Sequence, residues 1–543
     1  MTPRMRRSAH ELIVDGPRTR RPTTRHEWFR RVVLFAVVVI AGTFVLATPV
    51  DELRVPGLPA LFQDAEESTP DALFIASTTS TTSTTSPQPT FDFEDGEWWV
   101  HPEESGVQPR GIVDGLLTFR GSPTRSFYGR GPVPDSPEIR WRFPTEGGLC
   151  RQSSVGSVAQ TWCGTGWTGQ PTIFQYEGRT WSVFGALDGA VHFLNARTGS
   201  PLIAPFQTED IIKGSVTVDP DGFPIVYTGS RDNYYRAIAF DGEQARELWK
   251  IHADDAGPTL WNNDWDGSGL VLEDYLFIGG ENSRIHIVRL NRSYGDDGLV
   301  VVDPELVFSA PGWDAELIAA VGQNVSIENS VVVSGNTLYF ANSGGLVQGW
   351  DISSLREGID PTRIFRYWAG DDVDATIVAD SEGMLYVGVE YERDTARSRE
   401  VGQLLKLDPS RPEDPLVWGI DERQGLDTGI WGTPALHRDV VIFGSEGGSL
   451  RAVDRATGED VWSLTLGFHL WQSPVVVDDI LLMGDCLGTM HAFDVSDTRV
   501  QPPELWSLQL DDGCIESTPA VWNGTIIVGT RRGGVYGITE ANG

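Results

Sequence analysis

One structural unit recurs, in degraded copies, from about Trp141 to the C-terminus. Each copy has a short apolar strand, a tight turn, a second strand that ends in Gly, a third strand that reads apolar-x-apolar-Asp, and a fourth strand with a bulky aromatic side chain. The clearest copies are residues 433–462 and 473–506. A single sheet of this kind cannot bury both of its faces, so repeats with a period of roughly 40 to 60 residues stack as blades around an axis. The sequence therefore predicts an all-β fold, a β-propeller of four-stranded antiparallel sheets.

Counting the copies favours eight blades, with seven as the alternative because residues 300–375 diverge from the pattern. The last copy, residues 517–539, lacks a fourth strand. Residues 139–143, which precede the first copy, resemble the fourth strands of the other copies but belong to none of them. Pairing these two segments would close the ring and remove two exposed edges, so we assign the propeller to residues 139–543. The approximate spans of the blades are 168–206, 213–251, 268–309, 329–369, 374–420, 432–466, 472–510 and 517–539.

The segment 452–462 contains the most regular turn of the chain. It fits the pattern Ala-x-Asp-x-x-Thr-Gly-x-x-x-Trp without a mismatch. The Asp and the Thr-Gly pair shape the turn after a third strand, and the Trp offers a large apolar face to a neighbouring blade. The five residues of the motif are Ala452, Asp454, Thr457, Gly458 and Trp462.

This segment resembles the tryptophan docking motif of the pyrroloquinoline quinone (PQQ) propeller superfamily, which includes quinone-dependent alcohol dehydrogenases and the cofactor-free, BamB-like propellers of the β-barrel assembly machinery. Partial copies extend the resemblance over nearly all of residues 140–539. The resemblance implies the fold but no particular chemistry, because docking residues hold blades together whether or not a reaction occurs. PQQ dehydrogenases carry a disulfide between adjacent cysteines near the cofactor, and this chain has no Cys-Cys pair. The partial copies lie at residues 186–188, 237–241, 405–408 and 492–494.

The N-terminal region predicts a membrane anchor. Residues 1–31 carry nine Arg and three acidic residues, and residues 32–48 are an uncharged apolar run. The run is just long enough to span a bilayer as a helix, and the positive-inside rule places the basic tail in the cytoplasm and the propeller outside. We therefore predict a single-pass signal anchor in the cell membrane. A cleaved signal peptide and a secreted propeller are the alternative.

Two further segments precede the propeller. Residues 49–90 contain the run STTSTTSTTSPQP at 77–89, which has no apolar side chain to bury and is predicted to be a disordered tether. Tethers of this style resemble those of actinobacterial exported proteins. Residues 91–138, with many Gly and Pro, are predicted to be an irregular lead-in strapped over the propeller.

The formal net charge is −34 although the N-terminal tail is basic. So acidic a body argues against nucleic acid or anionic lipid as a partner. It leaves room for cationic ligands or metal ions, although most of the carboxylates are expected on solvated edges and turns.

Four cysteines fit an oxidising compartment. Cys150 and Cys163 lie in one loop before the first blade, Cys486 follows a second strand, and Cys514 lies in the connection to the next blade. Those last two positions share one face of a propeller, so Cys150–Cys163 and Cys486–Cys514 are the simplest of the three possible pairings. Zinc is the alternative, which no Cys-x-x-Cys motif supports.

Residues 262–273 match a calcium-binding loop at every position except the first, where Asn replaces Asp. Oxygen-bearing residues at alternate positions, a Gly for a sharp turn and a distal carboxylate are what Ca²⁺ needs. The alternative is a polar turn at the start of the third blade, because residues 269–275 read as a strand that could direct the last carboxylate away. The candidate ligands are Asn262, Asp264, Asp266, Ser268 and Glu273.

The starts of the first strands should face the central channel at one end and form a funnel. Their side chains are indoles, carboxylates, amides and hydroxyls, which can stack on sugar rings or hold a cation. The alternative is that they simply plug the channel and solvate its end, since a propeller channel must be filled. The candidate ligand-binding residues are Trp167, Gln170, Lys213, Trp265, Glu328, Asn329, Asp374, Trp431, Trp471, Gln472 and Glu516.

Three functions remain open. The favoured one is a non-catalytic, membrane-tethered extracytoplasmic module that binds or scaffolds an envelope protein or glycan, without a cofactor. The second is a PQQ- and Ca²⁺-dependent alcohol or sugar dehydrogenase, in which Asp374 and Glu328 could flank the quinone, and the third is an envelope sensor. PQQ is not expected, Ca²⁺ is possible, and no catalytic residue is assigned. His192, His286 and His491 occupy similar places in third strands, where packing is expected.

Overall fold

Eight small sheets, antiparallel except for the short parallel pair of Gly129–Arg130 with Ala520–Trp522, form the ring, which confirms the eight-bladed all-β propeller. The computed structural model describes residues 98–109, 111–155, 158–166 and 169–541. The predicted cytoplasmic tail, membrane helix and tether lie outside the described residues. Of the helices that are described, none has the length and apolar character needed to cross a membrane.

Blades 1 to 4 follow one another along the chain, and each is given from the channel outward. Blade 1 consists of the strands Gly115–Leu116, Thr172–Tyr176, Arg179–Gly185, Ala190–Asn195 and Phe206–Gln207. Blade 2 consists of Thr217–Val218, Ile225–Gly229, Tyr234–Ala239 and Arg246–His252. Blade 3 consists of Leu270–Leu272, Tyr275–Gly279, Arg284–Arg289 and Glu305–Pro311. Blade 4 consists of Val332–Ser334, Thr337–Phe340, Leu346–Asp351 and Thr362–Trp368.

Blades 5 to 8 complete the ring in the same order. Blade 5 consists of Val378–Ala379, Leu385–Gly388, Leu404–Leu407 and Leu416–Ile420. Blade 6 consists of Ala435–His437, Val440–Gly444, Ser449–Asp454 and Asp460–Thr465. Blade 7 consists of Val475–Val477, Ile480–Gly484, Thr489–Asp494 and Glu504–Gln509. Blade 8 consists of Gly129–Arg130, Ala520–Trp522, Thr525–Gly529, Val535–Glu540 and Pro137–Phe143.

Short elements lie between the blade strands. The α-helices are Ala315–Val321 and Ala396–Val401, and the residue before each helix caps it by accepting a hydrogen bond from a first-turn N–H. The 3₁₀ turns are Pro102–Glu104 and Leu355–Glu357. The small ribbons are Cys150–Val155 with Val158–Cys163, Ser293–Tyr294 with Val300–Val301, and Glu390–Tyr391 with Thr428–Gly429.

The lead-in segment, defined here as residues 98–143, closes the ring. Its last strand, Pro137–Phe143, pairs antiparallel with Val535–Glu540 as the fourth strand of blade 8, the closure expected from residues 139–143. Trp141 on this strand donates from its indole nitrogen to the carbonyl of Ala196 in blade 1 at 3.0 Å. The last blade is thereby tied to the first, and its outer edge is covered.

Fourth-strand tryptophans pack on the turn of the following blade. In blade 6, the Asp454 carboxylate accepts hydrogen bonds from N–H groups of the turn, and Gly458 has a φ of 76°. A β carbon at Gly458 would lie 2.9 Å from the ring of Trp418 in blade 5, and one at Gly199 would lie 2.6 Å from the ring of Trp141. Glycine is therefore required here both for the left-handed turn and for the close approach of the indole.

The other docking-motif residues lie in the same blade. Ala452 faces Trp462 across the third and fourth strands, and both side chains are buried. The hydroxyl of Thr457 lies 3.2 Å from the Asp454 carboxylate. The motif thus builds the turn from within blade 6 and accepts an indole from outside it.

Apolar side chains from adjacent blades fill the spaces between the sheets. One cluster joins Ile442 of blade 6, Leu482 of blade 7 and Ile526 of blade 8. Every residue of the strand Val440–Gly444 is buried. Inner strands are apolar at consecutive positions because both faces of each blade pack against a neighbour.

Both predicted disulfides are confirmed. Cys150–Cys163 joins the two ends of a hairpin. Cys486–Cys514 joins the turn between the second and third strands of blade 7 to the connection that leads into blade 8.

Candidate functional site

Two kinds of loop meet at the end of the channel where the first strands begin, an end that we call the mouth. They are the turns between second and third strands and the connections from one blade to the next. For example, the N–H of Glu281, in such a turn, donates to the carbonyl of Asp264, in such a connection, at 3.0 Å. The turns between first and second strands and between third and fourth strands lie at the opposite end, the base.

The lead-in segment fills the channel from the base. At its start, the indole of Trp99 donates to the carbonyl of Ile352, at the base of blade 4, at 2.7 Å. Its loop 118–126 crosses the channel, where the N–H of Val333 donates to the carbonyl of Pro123 at 3.0 Å. This loop, which we call the plug, forms the floor of the mouth.

Two fully buried arginines hold the plug in place. Arg120 donates to the carbonyls of Pro434 and Pro474, each at 2.9 Å, and Arg125 donates to the carbonyl of Val331 at 2.9 Å. Burial lowers the pKa of both guanidinium groups, which remain charged. The plug is therefore tied by charge-assisted hydrogen bonds to blades 4, 6 and 7.

The structure divides the predicted funnel residues into two groups. Trp167 lies outside the described residues. One group is buried among the strand starts; for example, the Gln170 side chain accepts a hydrogen bond from the N–H of Arg120 at 2.6 Å. This buried group comprises Gln170, Trp265, Asn329 and Gln472. The group whose side chains lie at the mouth comprises Lys213, Glu328, Asp374, Trp431, Trp471 and Glu516, and of these Lys213, Asp374 and Glu516 are also buried.

Trp265 belongs to the core between blades. Its ring packs against Tyr235 and His286, with centroids 5.6 and 5.3 Å apart. His286 is fully buried, and its Nε2 lies 3.1 Å from the Asn282 side-chain nitrogen. Burial, with a smaller contribution from Arg284, lowers the pKa of His286 to about 3. This is the packing role expected of a third-strand histidine.

We expect His286 to make the propeller sensitive to acid. An unfolded histidine takes up a proton near pH ~6.5, whereas the folded state excludes that proton until about pH 3. The free energy of unfolding therefore falls as the pH decreases below that range, by about 2 kcal/mol at pH ~5. His286→Gln should remove this part of the acid dependence in urea unfolding. His252→Gln, at a more exposed histidine, is the control, and an equal change in both variants would contradict the role of burial.

A buried ion cluster lies at the mouth beside blades 2 and 3. Lys213 is 4% exposed, and its ammonium group contacts the carboxylates of Asp266 and, at 2.9 Å, Glu281. Asp264 lies 3.9 Å from the same nitrogen and pairs with Arg231. Burial, followed by the charge of Glu281, raises the pKa of Asp264 to about 7. Two cations thus neutralise most of three buried carboxylates.

A second group of carboxylates lies at blade 5. Oxygen atoms of Asp372, Asp374 and Glu390 lie within 4.8 Å of one another, and all three residues are buried. Arg393 pairs with Asp372 at 3.0 Å. The spacing of these oxygens is one that a cation can bridge.

The hydroxyl of Ser343 connects the two acidic groups. It lies 3.1 Å from a carboxylate oxygen of Glu328 and 3.4 Å from one of Asp374. Glu328 in turn has an oxygen within 4.8 Å of oxygens from Asp266 and Glu281. The mouth therefore carries a continuous band of carboxylates over blades 3 to 5.

Aromatic rings form a second feature of the mouth, over blade 6. Trp431 and Trp471 stack with their centroids 5.0 Å apart and their planes at 9°, and His469 also stacks on Trp471 at 5.4 Å. Phe468 contacts His469 edge to face at 4.7 Å. The Glu446 carboxylate accepts the indole N–H of Trp471. We call these four rings the ring ladder, and the Glu446 hydrogen bond fixes its centre.

The disulfide-closed hairpin at residues 150–163 forms a wall over blades 8, 1 and 2. The guanidinium groups of Arg231 and Arg531 lie over the ring of Trp162 at 5.5 and 5.2 Å. Arg531 also lies 3.5 Å from the carboxylate of Glu516, whose pKa burial raises. The acidic band and the ring ladder lie on the side of the mouth away from this wall.

The predicted calcium loop does not bring its ligands together. Asp264 and Asp266 belong to the ion cluster, and the Asn262 side chain donates to Glu281 at 2.9 Å. The two aspartates thus pair with cations of the protein, and the side-chain oxygen of Asn262 accepts a hydrogen bond from the N–H of Asn263 at 2.8 Å.

The later ligands of that loop point elsewhere. The Ser268 hydroxyl lies 3.1 Å from that of Thr217, and Glu273 pairs with Arg356 at 2.6 Å. The strand Leu270–Leu272 runs away from the mouth and carries Glu273 to the base. In this geometry a strand, rather than a compact turn, separates the candidate ligands. Calcium binding by the chain itself stays a prediction.

Sequence reasoning missed the residues contributed by turns between second and third strands. Glu281, Glu390 and Glu446 all lie at the mouth, and each stands two positions after the Gly that ends a second strand. Arg231 and Arg531 occupy the same position in blades 2 and 8. The sequence could have indicated these residues. The Gly that ends each second strand is recognisable in the repeat, and the turn that follows this Gly lies at the mouth.

The mouth does not fit PQQ. This cofactor is a tricarboxylate, and the described cations nearest the band, Lys213, Arg231 and Arg393, are already paired with carboxylates. A further polyanion beside the acidic band would leave buried charges unpaired, which is costly. We therefore expect the propeller to work without this cofactor.

Comparison with known proteins supports the repeat family. Residues 402–543 match the family described as outer membrane protein assembly factor BamB. The protein of that name from Shewanella oneidensis is 29% identical over 110 residues, which cover 20% of this chain and 27% of the relative. The match thus spans about a quarter of that relative's length.

Two solved enzymes share the architecture. Quinohemoprotein alcohol dehydrogenases from Pseudomonas putida HK5 and Comamonas testosteroni are 10% and 12% identical, with TM-scores of 0.53 and 0.50. Each alignment covers 78% of this chain and 80% of the enzyme. At such identities the likeness concerns the fold alone. Residues 402–543 thus resemble the repeat of the BamB family, and the chain as a whole shares the β-propeller fold.

Proposed function

We propose that the chain is a non-catalytic binding propeller of the cell envelope that holds a protein partner at its mouth. The closed channel carries this proposal. The plug fills the channel up to the level of the first strands, so the mouth is a shallow site with a fixed floor. Shallow sites lined by aromatic and charged groups suit a partner surface better than a small buried substrate.

The position of the lead-in segment agrees with this role. The N–H of Trp99 donates to the Asn336 side chain, in the turn between the first and second strands of blade 4, at 2.9 Å. The segment therefore begins at the base, which is the end of the channel opposite to the mouth. A partner at the mouth would meet the propeller at the end opposite to the one where this segment begins.

Two observations favour a protein over a glycan. Trp471 is already stacked by Trp431 and by His469, which reduces the ring area that it can offer to a sugar. The relative from Shewanella oneidensis is named an assembly factor, which supports a role in holding other proteins.

Site-specific photocrosslinking tests the proposal. The full chain, in the membranes of the cells that produce it, carries a photoreactive phenylalanine analogue at Leu487 of the mouth or at Ile364 on the outer strand of blade 4, both about half exposed. We expect defined protein adducts from position 487 and about tenfold fewer from position 364. Equal labelling would contradict a binding mouth. Dye-linked alcohol oxidation that depends on added PQQ and Ca²⁺ would instead establish a dehydrogenase.

A further inference from the structure

We infer that the mouth docks a segment of the partner protein that combines Lys or Arg with aliphatic side chains. The docking surface is an apolar rim over blades 5 to 7, made by Leu426, Leu487 and Phe468, which is also the last ring of the ring ladder. This inference rests on the proposed function and adds the chemistry of the partner.

The rim groups exposed apolar side chains on adjacent loops. Leu426, Phe468 and Leu487 are 55%, 46% and 51% exposed. The loops of Phe468 and Leu487 touch, since the N–H of Cys486 donates to the carbonyl of His469 at 3.2 Å. The loop of Leu426 reaches the loop of Phe468 through the stacked rings of Trp431 and Trp471. Single exposed apolar residues are ordinary, whereas several around stacked rings form the kind of patch that partners cover.

The rim is also held rigid before a partner arrives. The disulfide Cys486–Cys514 fixes the turn that carries Leu487, and the stacked rings fix the loop that carries Phe468. A surface that is already ordered loses little conformational entropy on binding. The exposed ring of Phe468 offers an apolar surface against which aliphatic side chains and the stems of Lys and Arg can pack.

The negative charge around the rim favours a partner segment with positive charge. The four loop segments that build it carry five carboxylates, one arginine and no lysine. The carboxylates of Asp372, Asp374 and Glu390 add to the negative field from blade 5. A segment with Lys or Arg is attracted by this field, and an acidic one is repelled. The rim segments are residues 421–434, 445–448, 466–474 and 485–488.

Peptide binding tests the inference. The full chain, in nanodiscs of neutral phosphatidylcholine, is titrated with three short labelled peptides of equal length, which alternate Leu with Lys, Leu with Glu, or Ser with Lys. We expect the Leu/Lys peptide to bind about tenfold more tightly than either of the others, because it alone satisfies both the rim and the field. Its affinity should fall about fivefold between ~50 and ~300 mM salt.

Matched variants locate the binding. Phe468→Ser and Leu487→Ser should each weaken the Leu/Lys peptide about tenfold. Leu505→Ser is the control, since Leu505 is 47% exposed on the outer strand of blade 7 and lies away from the rim. Thermal melts of all three should match the parent chain, because each side chain is exposed. Equal binding of the Leu/Glu peptide, or equal effects of Leu487→Ser and Leu505→Ser, would overturn the inference.

The two proposals can fail separately. If position 487 crosslinks to an acidic or neutral protein segment, the mouth binds a partner but the inferred chemistry is wrong. If position 487 gives no more protein adducts than position 364, the binding mouth itself is wrong. Crosslinking to a segment rich in Lys or Arg supports both.

Discussion

Replacing Lys213 with methionine should lower the free energy of unfolding by about 3–5 kcal/mol near neutral pH. The Lys213 ammonium group is buried between Asp266 and Glu281. Burial alone lowers the pKa of Lys213, but these two carboxylates raise it by more, so the net shift is upward. Methionine keeps the volume of the side chain and leaves the carboxylates without their shared cation.

The loss should shrink as the pH falls. Burial raises the pKa of Asp264 to about 7 and raises that of Asp266 well above its usual value. Once the cation is gone, these carboxyl groups take up protons more readily in the folded state than in the unfolded state, so acidification towards pH ~5 favours folding of the variant. Urea unfolding of the parent chain and of the variant near pH ~7.5 and ~5 measures the loss of stability at each pH.

A surface lysine provides the control for Lys213→Met. Lys250 is 42% exposed and pairs with Glu247 at 3.1 Å, and such pairs contribute about 0–1 kcal/mol. Lys250→Met should therefore change stability little at either pH. The double variant Lys213→Met with Asp266→Asn should recover about half of the loss, because it removes one buried charge. A loss no larger for Lys213→Met than for Lys250→Met would contradict the cluster's role.

Replacing Arg120 with methionine should lower the free energy of unfolding by about 3–4 kcal/mol and release the plug. The guanidinium group donates to backbone carbonyls at the starts of blades 6 and 7, and methionine would leave those acceptors buried without a donor. Arg120→Lys should recover only part of the loss, because one ammonium group cannot span the same acceptors.

Limited proteolysis measures how firmly the plug is held in the channel. In the parent chain, the lead-in segment is tied into the channel and should resist cleavage, whereas Arg120→Met should raise cleavage within residues 98–136 about tenfold. Arg140→Met is the control, since Arg140 lies in the closing strand with its side chain 58% exposed. If Arg120→Met leaves both the melt and the cleavage rate unchanged, the plug is not held by this arginine.

Most of the blades could be predicted because their signals are local. The Gly that ends the strand Val440–Gly444 and the Asp that ends Ser449–Asp454 recur at matching positions in other copies. Residues 139–143 could be assigned to blade 8 because they resemble other fourth strands. Topology favoured the pair Cys486–Cys514, since the loops that carry these residues share one face of any propeller, and Cys150–Cys163 was favoured because both residues lie in one loop.

The candidate site could be predicted only in part. Equivalent positions placed Trp431 and Trp471 at the mouth, but their stacking depends on the path of two separate loops. Lys213 was predicted as a ligand-binding residue of the funnel, and in the structure its ammonium group pairs with Glu281, 68 residues away. The position of the plug could not be predicted from a sequence pattern, because residues 118–126 belong to no repeat.

The sequence by itself determined the propeller, its closure and its disulfide pairs, because strand periodicity, turn residues and topology act within one repeat or between neighbouring repeats. Only the tertiary structure decided which polar residues are structural and which line the mouth. Buried charges such as Lys213 and Arg120 find their partners in other blades, and the desolvation of a charge depends on everything packed around it. The packing around each charged side chain is set by the assembled ring, and it cannot be inferred from any single repeat.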